Sequence, residues 1–314
     1  MTGRQFLKSC YNYLAGGTVL KKSTKVILKK HGWRIDRFIH HYVYFVFYQP
    51  YIRAALVCIN IMDKISWFKP FNPLINAMYQ RFHAKILIPE HTAKIFELNE
   101  DLSAVSSRNK RIIPFRYAYK ILFHEPHNIA VMDCPCRKVL PPYEDVNCCI
   151  AVGKDVTAFW LEHCEKYHAR KITQAEALGI IEAQRKTGHV TQAFFKVATG
   201  GATGVICSCR PENCISFKAT AATRKFNKNL SQSASSGYSV SINTKQCTAC
   251  GECLEYCHSG ALELKDDTLV YDTDLCFGCG LCVERCSRGA LSLYPDSEKP
   301  LPLDVDMVRK EFTD

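Results

Sequence analysis

Eight cysteines towards the end of the chain repeat one spacing twice. Cys247, Cys250, Cys253 and Cys257 form a C-x2-C-x2-C-x3-C run, and Cys276, Cys279, Cys282 and Cys286 form a second. The segments around them, INTKQCTACGECLEYCHSGALEL from Ile242 and YDTDLCFGCGLCVERCSRGALSL from Tyr271, align without a gap at a period of 29 residues. Such a repeat predicts a duplicated, pseudo-twofold module. Thiolates are soft ligands suited to iron–sulfur clusters and to zinc. Three of them at this spacing on a tight loop reach three corners of a cubane, and the fourth ligand must come from elsewhere. Zinc also accepts C-x2-C pairs, but two tandem runs of four fit its tetrahedral sites poorly.

Gly251, Gly278 and Gly280 let the ligand loops turn closely and offer backbone N–H groups to a negative cluster. Gly260-Ala261-Leu262 and Gly289-Ala290-Leu291 lead into expected short strands, with Ile242, Leu264, Leu269 and Leu293 completing an apolar interior. Residues 238–293 resemble the bacterial dicluster ferredoxins. That resemblance implies two [4Fe-4S] clusters that move electrons singly, with the last cysteine of each run crossing to the other cluster. Cluster I would take Cys247, Cys250, Cys253 and Cys286, and cluster II Cys276, Cys279, Cys282 and Cys257. His258 and Ser287 replace the proline that the family places after the fourth cysteine, and His258 reads as a solvated turn residue.

Seven more cysteines fall mid-chain. Cys134 and Cys136 lie in CPCR with Arg137, Cys148 and Cys149 in NCCIAVG, and Cys207, Cys209 and Cys214 in ICSCRPENC. Closely spaced thiolates from three loops are what a third iron–sulfur cluster or another metal needs. Cys134, Cys136, Cys149 and Cys209 are the first candidates, with Cys148, Cys207 and Cys214 as alternates; a thiol-redox site and ordinary buried cysteine stay open. Arg137 and Arg210 follow C-x-C pairs, where each could stabilise a thiolate or bound anion, or simply face solvent. From about Ala130 onward the chain resembles a family of ferredoxin-type iron–sulfur proteins of anaerobic microbes. In that family a C-x-C-R element, a later cysteine, a Gly-Leu-Val-His-like turn and an I-C-x-C cluster precede the dicluster module. Thr191 occupies the position of the family's histidine, so no role carries over from it. Cys10, Cys58 and Cys164 stand alone and read as structural.

Charge divides the chain. Residues 1–120 carry 20 Lys and Arg against 6 Asp and Glu, whereas residues 238–314 carry 7 against 14. The basic part interleaves cations with Trp33, Phe38, Tyr42, Tyr44, Phe45 and Phe47. It fits peripheral contact with an anionic membrane, docking of an acidic redox partner protein, or an ordinary helical domain with a solvated basic face. Nucleic acid ranks last of the partners. The start of the chain lacks a signal-peptide pattern, and polar residues interrupt the apolar stretch at 38–62, so cytoplasmic assembly, with or without membrane association, is the expectation.

These features predict an α+β protein. A basic, aromatic, mostly helical segment (1–120), broken by Pro50, Pro70, Pro73, Pro89 and Pro114, is followed by a cysteine-bearing helical domain (121–230). A Ser-rich linker (231–239), the ferredoxin module (240–296) and a tail (297–314) complete the chain. Within the middle segment, 154–169 reads as a helix, and Thr173 with Glu176 forms a capping box for another that stops at Gly188. Gly200, Gly201 and Gly204 match neither a phosphate loop nor a dinucleotide fingerprint. Electrons are therefore expected to enter and leave through partner proteins, which favours an electron carrier or oxidoreductase component over a self-contained enzyme. The alternatives are a reductase or activase with a catalytic cluster or metal at the middle cysteines, and a redox sensor.

Overall fold

The computed structural model describes residues 20–65, 70, 72–73, 82–105, 110–114, 120–144, 146–196, 204–226 and 231–312. Cys10 and residues 200–203 of the glycine-rich loop lie outside them. The basic region forms α1 (Lys22–His31), α2 (Ile35–Val46) and α3 (Tyr48–Ile65). Pro50 falls in the first turn of α3, where a missing N–H is harmless, and α2 and α3 are bent by 105° at the break before it. Among the described residues no single helix is long and apolar enough to cross a membrane.

The rest of the first two segments folds as β1 (Phe82–Ile86), α4 (Pro89–Phe96), β2 (Leu102–Val105), β3 (Lys120–Phe123), β4 (Ile129–Asp133), α5 (Pro135–Val139), β5 (Asn147–Val152) and α6 (Lys154–His163). There follow β6 (Arg170–Ile172), α7 (Gln174–Lys186), β7 (Val190–Lys196), β8 (Val205–Cys209), α8 (Ile215–Phe226) and β9 (Ser233–Ala234). Seven strands make one sheet in the order β6-β4-β5-β8-β7-β1-β9. Every pair is antiparallel except β1 with β9. One face packs against α1, α2, α3, α6 and α8 through Phe45, Phe159, Trp160 and Phe217; the other packs against α4 and α7 through Ile95, Phe96, Ala177 and Ile181.

The α+β class holds, and the helices of the middle segment pack on both faces of a central sheet. Strands β4 and β8 are buried at every residue, and β5 at all but its first. Strands covered on both faces lose the alternation that identifies a strand in sequence. Helix α6 stops at His163, and a 3-10 turn at Glu165–Tyr167 leads into β6. Thr173 Oγ1 accepts the Glu176 N–H at 3.1 Å, as the capping box requires, but the Glu176 carboxylate turns to Arg170 at 2.6 Å.

The Ser-rich tract is packed and not exposed: it holds β9 and the start of β10, which belong to two different sheets. Ser233, Ser236 and Ser239 are buried, and their hydroxyls donate to Gln192 Oε1 (2.7 Å), Gly278 O (2.6 Å) and Asp296 Oδ2 (2.5 Å). Small hydroxyl side chains suit both loops and tight, hydrogen-bonded packing, so composition alone could not separate the two.

The ferredoxin module comprises β10 (Tyr238–Ile242), a 3-10 turn at Glu252–Leu254, β11 (Leu262–Lys265), β12 (Thr268–Tyr271), α9 (Leu281–Arg285) and β13 (Leu291–Pro295). Strand β10 pairs with β13 and β11 with β12, around Val240, Leu262 and Leu291. The expected tail folds back as α10 (Val305–Phe312), burying Leu303, Val305 and Val308 in the core on the α4 side of the sheet. Lys85, fully buried on β1, donates to the Leu301 carbonyl at 2.7 Å.

Candidate metal centres

Cys247, Cys250, Cys253 and Cys286 line one cavity, with a free volume of about 350 Å³. Cys257, Cys276, Cys279 and Cys282 line a second, of about 320 Å³. The fold thus carries the last cysteine of each run across to the other cavity. Backbone N–H groups already point at ligand sulfurs: Leu262 donates to Cys257 Sγ at 3.3 Å, Gly278 to Cys276 Sγ at 3.3 Å and Ala290 to Cys286 Sγ at 3.2 Å. Burial pushes the Cys253 and Cys279 thiols up to about 11, so the iron must supply the charge that lets them ligate as thiolates.

The second cavity belongs to the half that docks on the sheet. Arg185, at the end of α7 and 4% exposed, donates to the Cys279 carbonyl at 2.8 Å and to Glu284 Oε1 at 2.5 and 2.9 Å. His258 Nε2 lies 2.6 Å from the Gly188 carbonyl oxygen and is half-buried, so it is a docking residue and not a solvated turn. Phe277, between two cluster II ligands, stacks near Phe217 with ring centroids 5.6 Å apart, and Arg224 lies over its face.

The seven middle cysteines meet at one end of three interior strands. Strands β4 and β8 both run antiparallel to β5, so their C-terminal ends and the start of β5 lie together. Cys134 follows β4 and Cys136 lies in α5; Cys148 and Cys149 begin β5; Cys207 and Cys209 end β8; Cys214 precedes α8. Six of them, Cys134, Cys136, Cys149, Cys207, Cys209 and Cys214, line a chamber of about 380 Å³ free volume, together with Tyr44, Tyr48, Arg137 and Asn213. Cys148 is buried beside it and reaches Cys134. All four first candidates and all three alternates are therefore brought together. Sequence reasoning missed Tyr44 and Tyr48, which sit far upstream; their Oη atoms are 2.6 Å apart.

Electrostatics within the chamber favour the thiolate form at two of its cysteines. Cys134 is held well below the usual thiol range by accepting hydrogen bonds from Cys136, Cys148 and Cys149; donating them, with burial, raises those three. Cys209 is raised in the same way by donating to Cys214, which is lowered by that bond and by the Phe217 and Ser216 N–H groups at the start of α8. The helix end directs further positive potential there. Arg137, 2% exposed, donates to the Ser208 carbonyl at 2.8 Å and to Glu144 at 3.0 Å, and its buried Nε has no protein partner. It is a buried countercharge and not a surface residue. Arg210 is more exposed and lies 3.4 Å from Glu212. Cys58 is exposed, and Cys164 is buried with its thiol pushed up to about 12 by desolvation.

Among the described residues one three-donor group has all its ligand atoms within 4.8 Å: Glu90, His91 and Asp304. The Lys94 ammonium already pairs there with Asp304 at 3.0 Å and Glu90 at 3.3 Å.

Residues 246–290 match the family of 4Fe-4S dicluster domains. No curated protein matches the chain. The chain is an iron–sulfur electron-transfer protein with a C-terminal dicluster ferredoxin domain, and its eight cysteines, four to a cavity, fit two [4Fe-4S] clusters.

Proposed function

We propose that the protein is a three-cluster electron relay, in which the ferredoxin module exchanges electrons with a partner oxidoreductase and passes them to a third iron–sulfur cluster in the middle chamber. One observation supports this reading: a third chamber is lined by six cysteines, and the Phe217–Phe277 contact joins the α8 that bounds it to the docked half of the module. Cys134, Cys136 and Cys214, which lie off the strands, and Cys209, the last residue of β8, are its ligands. Cys214 thereby replaces Cys149, which sits one step inside the sheet. The unpartnered Arg137 Nε offers a donor to a sulfide. Iron and acid-labile sulfide analysis with EPR on anaerobically purified protein tests the reading. It requires about twelve irons, by the arithmetic of three cubanes; eight irons sink the third cluster.

We also propose that the basic end rests on an anionic membrane surface. Val26, Trp33, Ile39, Val43, Phe47, Val57 and Ile61 are exposed on α1 to α3 and the turns between them, alongside exposed Lys22, Lys29, Lys30, Arg53 and Lys64. Exposed apolar side chains among cations suit an interfacial location. Sedimentation with phosphatidylserine vesicles at low salt, but not with phosphatidylcholine vesicles, is expected; equal recovery in the supernatant with both would refute it.

A further inference from the structure

The chamber has more thiols than one cubane can use. Six cysteines line a space about as large as each ferredoxin cavity, and a [4Fe-4S] cluster takes four. Two are left over. Cys134, Cys136 and Cys214 lie off the strands and Cys209 is the last residue of β8, whereas Cys149 and Cys207 lie within β5 and β8. They are directly opposite each other in the antiparallel β5–β8 pair, with their sulfurs 3.1 Å apart. Opposed residues on antiparallel strands have Cβ atoms about 5 Å apart, close to the reach of a disulfide.

We infer that Cys149 and Cys207 form a redox-active dithiol–disulfide couple beside the third cluster, a two-electron acceptor for electrons that arrive one at a time. This rests on the three-cluster reading only for the last carrier before the couple. In the reductive direction the Cys149–Cys207 S–S bond breaks, each sulfur gains one electron, and two protons from solvent complete two thiols. The electrons come from two one-electron-reduced [4Fe-4S] clusters, which return to their oxidised state. Tyr44 and Tyr48, hydrogen-bonded to each other on the chamber wall, supply hydroxyl groups along which protons can pass. The couple is buried, with Cys149 2% and Cys207 5% exposed, so it is shielded from external thiols and is addressed through the clusters.

Peptide mapping tests this in the whole protein. Anaerobic samples are poised with mild ferricyanide or with dithionite, unfolded in denaturant containing N-ethylmaleimide, digested and weighed, with iron counted on the same samples. The oxidised sample should yield the Cys149 and Cys207 peptides joined, with the eight ferredoxin cysteines alkylated; the reduced sample should yield both peptides alkylated. Cys149→Ser and Cys207→Ser should abolish the joined peptide and keep the full wild-type iron content. Loss of about four irons in either variant would make that cysteine a cluster ligand and overturn the inference, as would unlinked peptides after oxidation. A joined peptide in a wild-type protein with eight irons would support the couple while refuting the third cluster.

Discussion

Phe277 leaves the cluster II ligand loop and lays its ring 5.6 Å from that of Phe217, at an interplanar angle of 32°. Phe217 lies in the first turn of α8, directly after Cys214, so one aromatic pair joins the ferredoxin module to the wall of the cysteine chamber. Both rings are 4% exposed and belong to one core with six of the middle cysteines.

Removing the ring should loosen this junction without removing a ligand. Phe277→Ala is expected to destabilise the docked state by about 3–5 kcal/mol, the usual range for a buried Phe truncated to Ala. Hydrogen exchange should show faster opening of the first turn of α8, with the iron content of the ferredoxin module unchanged. Loss of iron from cluster II would mean that the ring supports the ligand loop and not the junction.

Arg185 should act as the polar counterpart of that aromatic contact. Its fork satisfies both Glu284 and the Cys279 carbonyl, and the guanidinium is almost wholly buried whereas Glu284 is about a third exposed. Arg185→Ala is expected to cost about 1–3 kcal/mol through the unpaired carbonyl and carboxylate. Arg185→Lys should recover little of it, because an ammonium cannot make both contacts in the same plane. Thermal unfolding of the two variants at equal iron content checks this; full rescue by lysine would show that charge alone matters.

Two glycines with similar backbones should differ sharply. At Gly278, φ +65°, a Cβ would collide with the Tyr238 carbonyl oxygen and Ser236 Oγ, while at Gly251, φ +82°, the nearest atom is Leu264 Cδ1 at 3.5 Å. Gly251→Ala faces only left-handed strain, about 1–2 kcal/mol, and should keep both ferredoxin clusters. Gly278→Ala must displace β10 from the ligand loop and should lose cluster II. Iron content and EPR spin quantitation separate the two; equal loss in both would place the requirement on φ alone.

The ferredoxin module was legible because its ligands are local: each run fixes three sulfurs through short spacing, and the 29-residue repeat shows the symmetry. The chamber was half legible. CPCR, NCC and CSC announce soft ligands, yet what unites them is that β4 and β8 run alongside each other on either side of β5, a long-range pairing that no local pattern carries. Buried β4, β5 and β8 lack alternation, and Ser233, Ser236 and Ser239 have the composition of a linker while packing as core. His258 looked like an exposed turn because its partner, the Gly188 carbonyl, lies 70 residues away.

His189 should make the junction acid-sensitive. Burial, and then the nearby Arg137 charge, lower its imidazole to about 3, from an ordinary value of 6.5. Between these values the unfolded chain binds a proton that the folded chain refuses, so its contribution to stability is complete above pH 6.5 and is lost as pH falls towards 3. His163 and His91 are also lowered by burial and act in the same direction, so the comparison must be between variants. His189→Gln, which keeps a side chain able to bond Thr187 and the Gln184 carbonyl, should lose less stability than wild type between pH 7 and pH 5. The difference should be about 1 kcal/mol, below the ~1.4 kcal/mol per pH unit that one proton allows. Identical acid profiles would show that His189 is protonated in the folded protein.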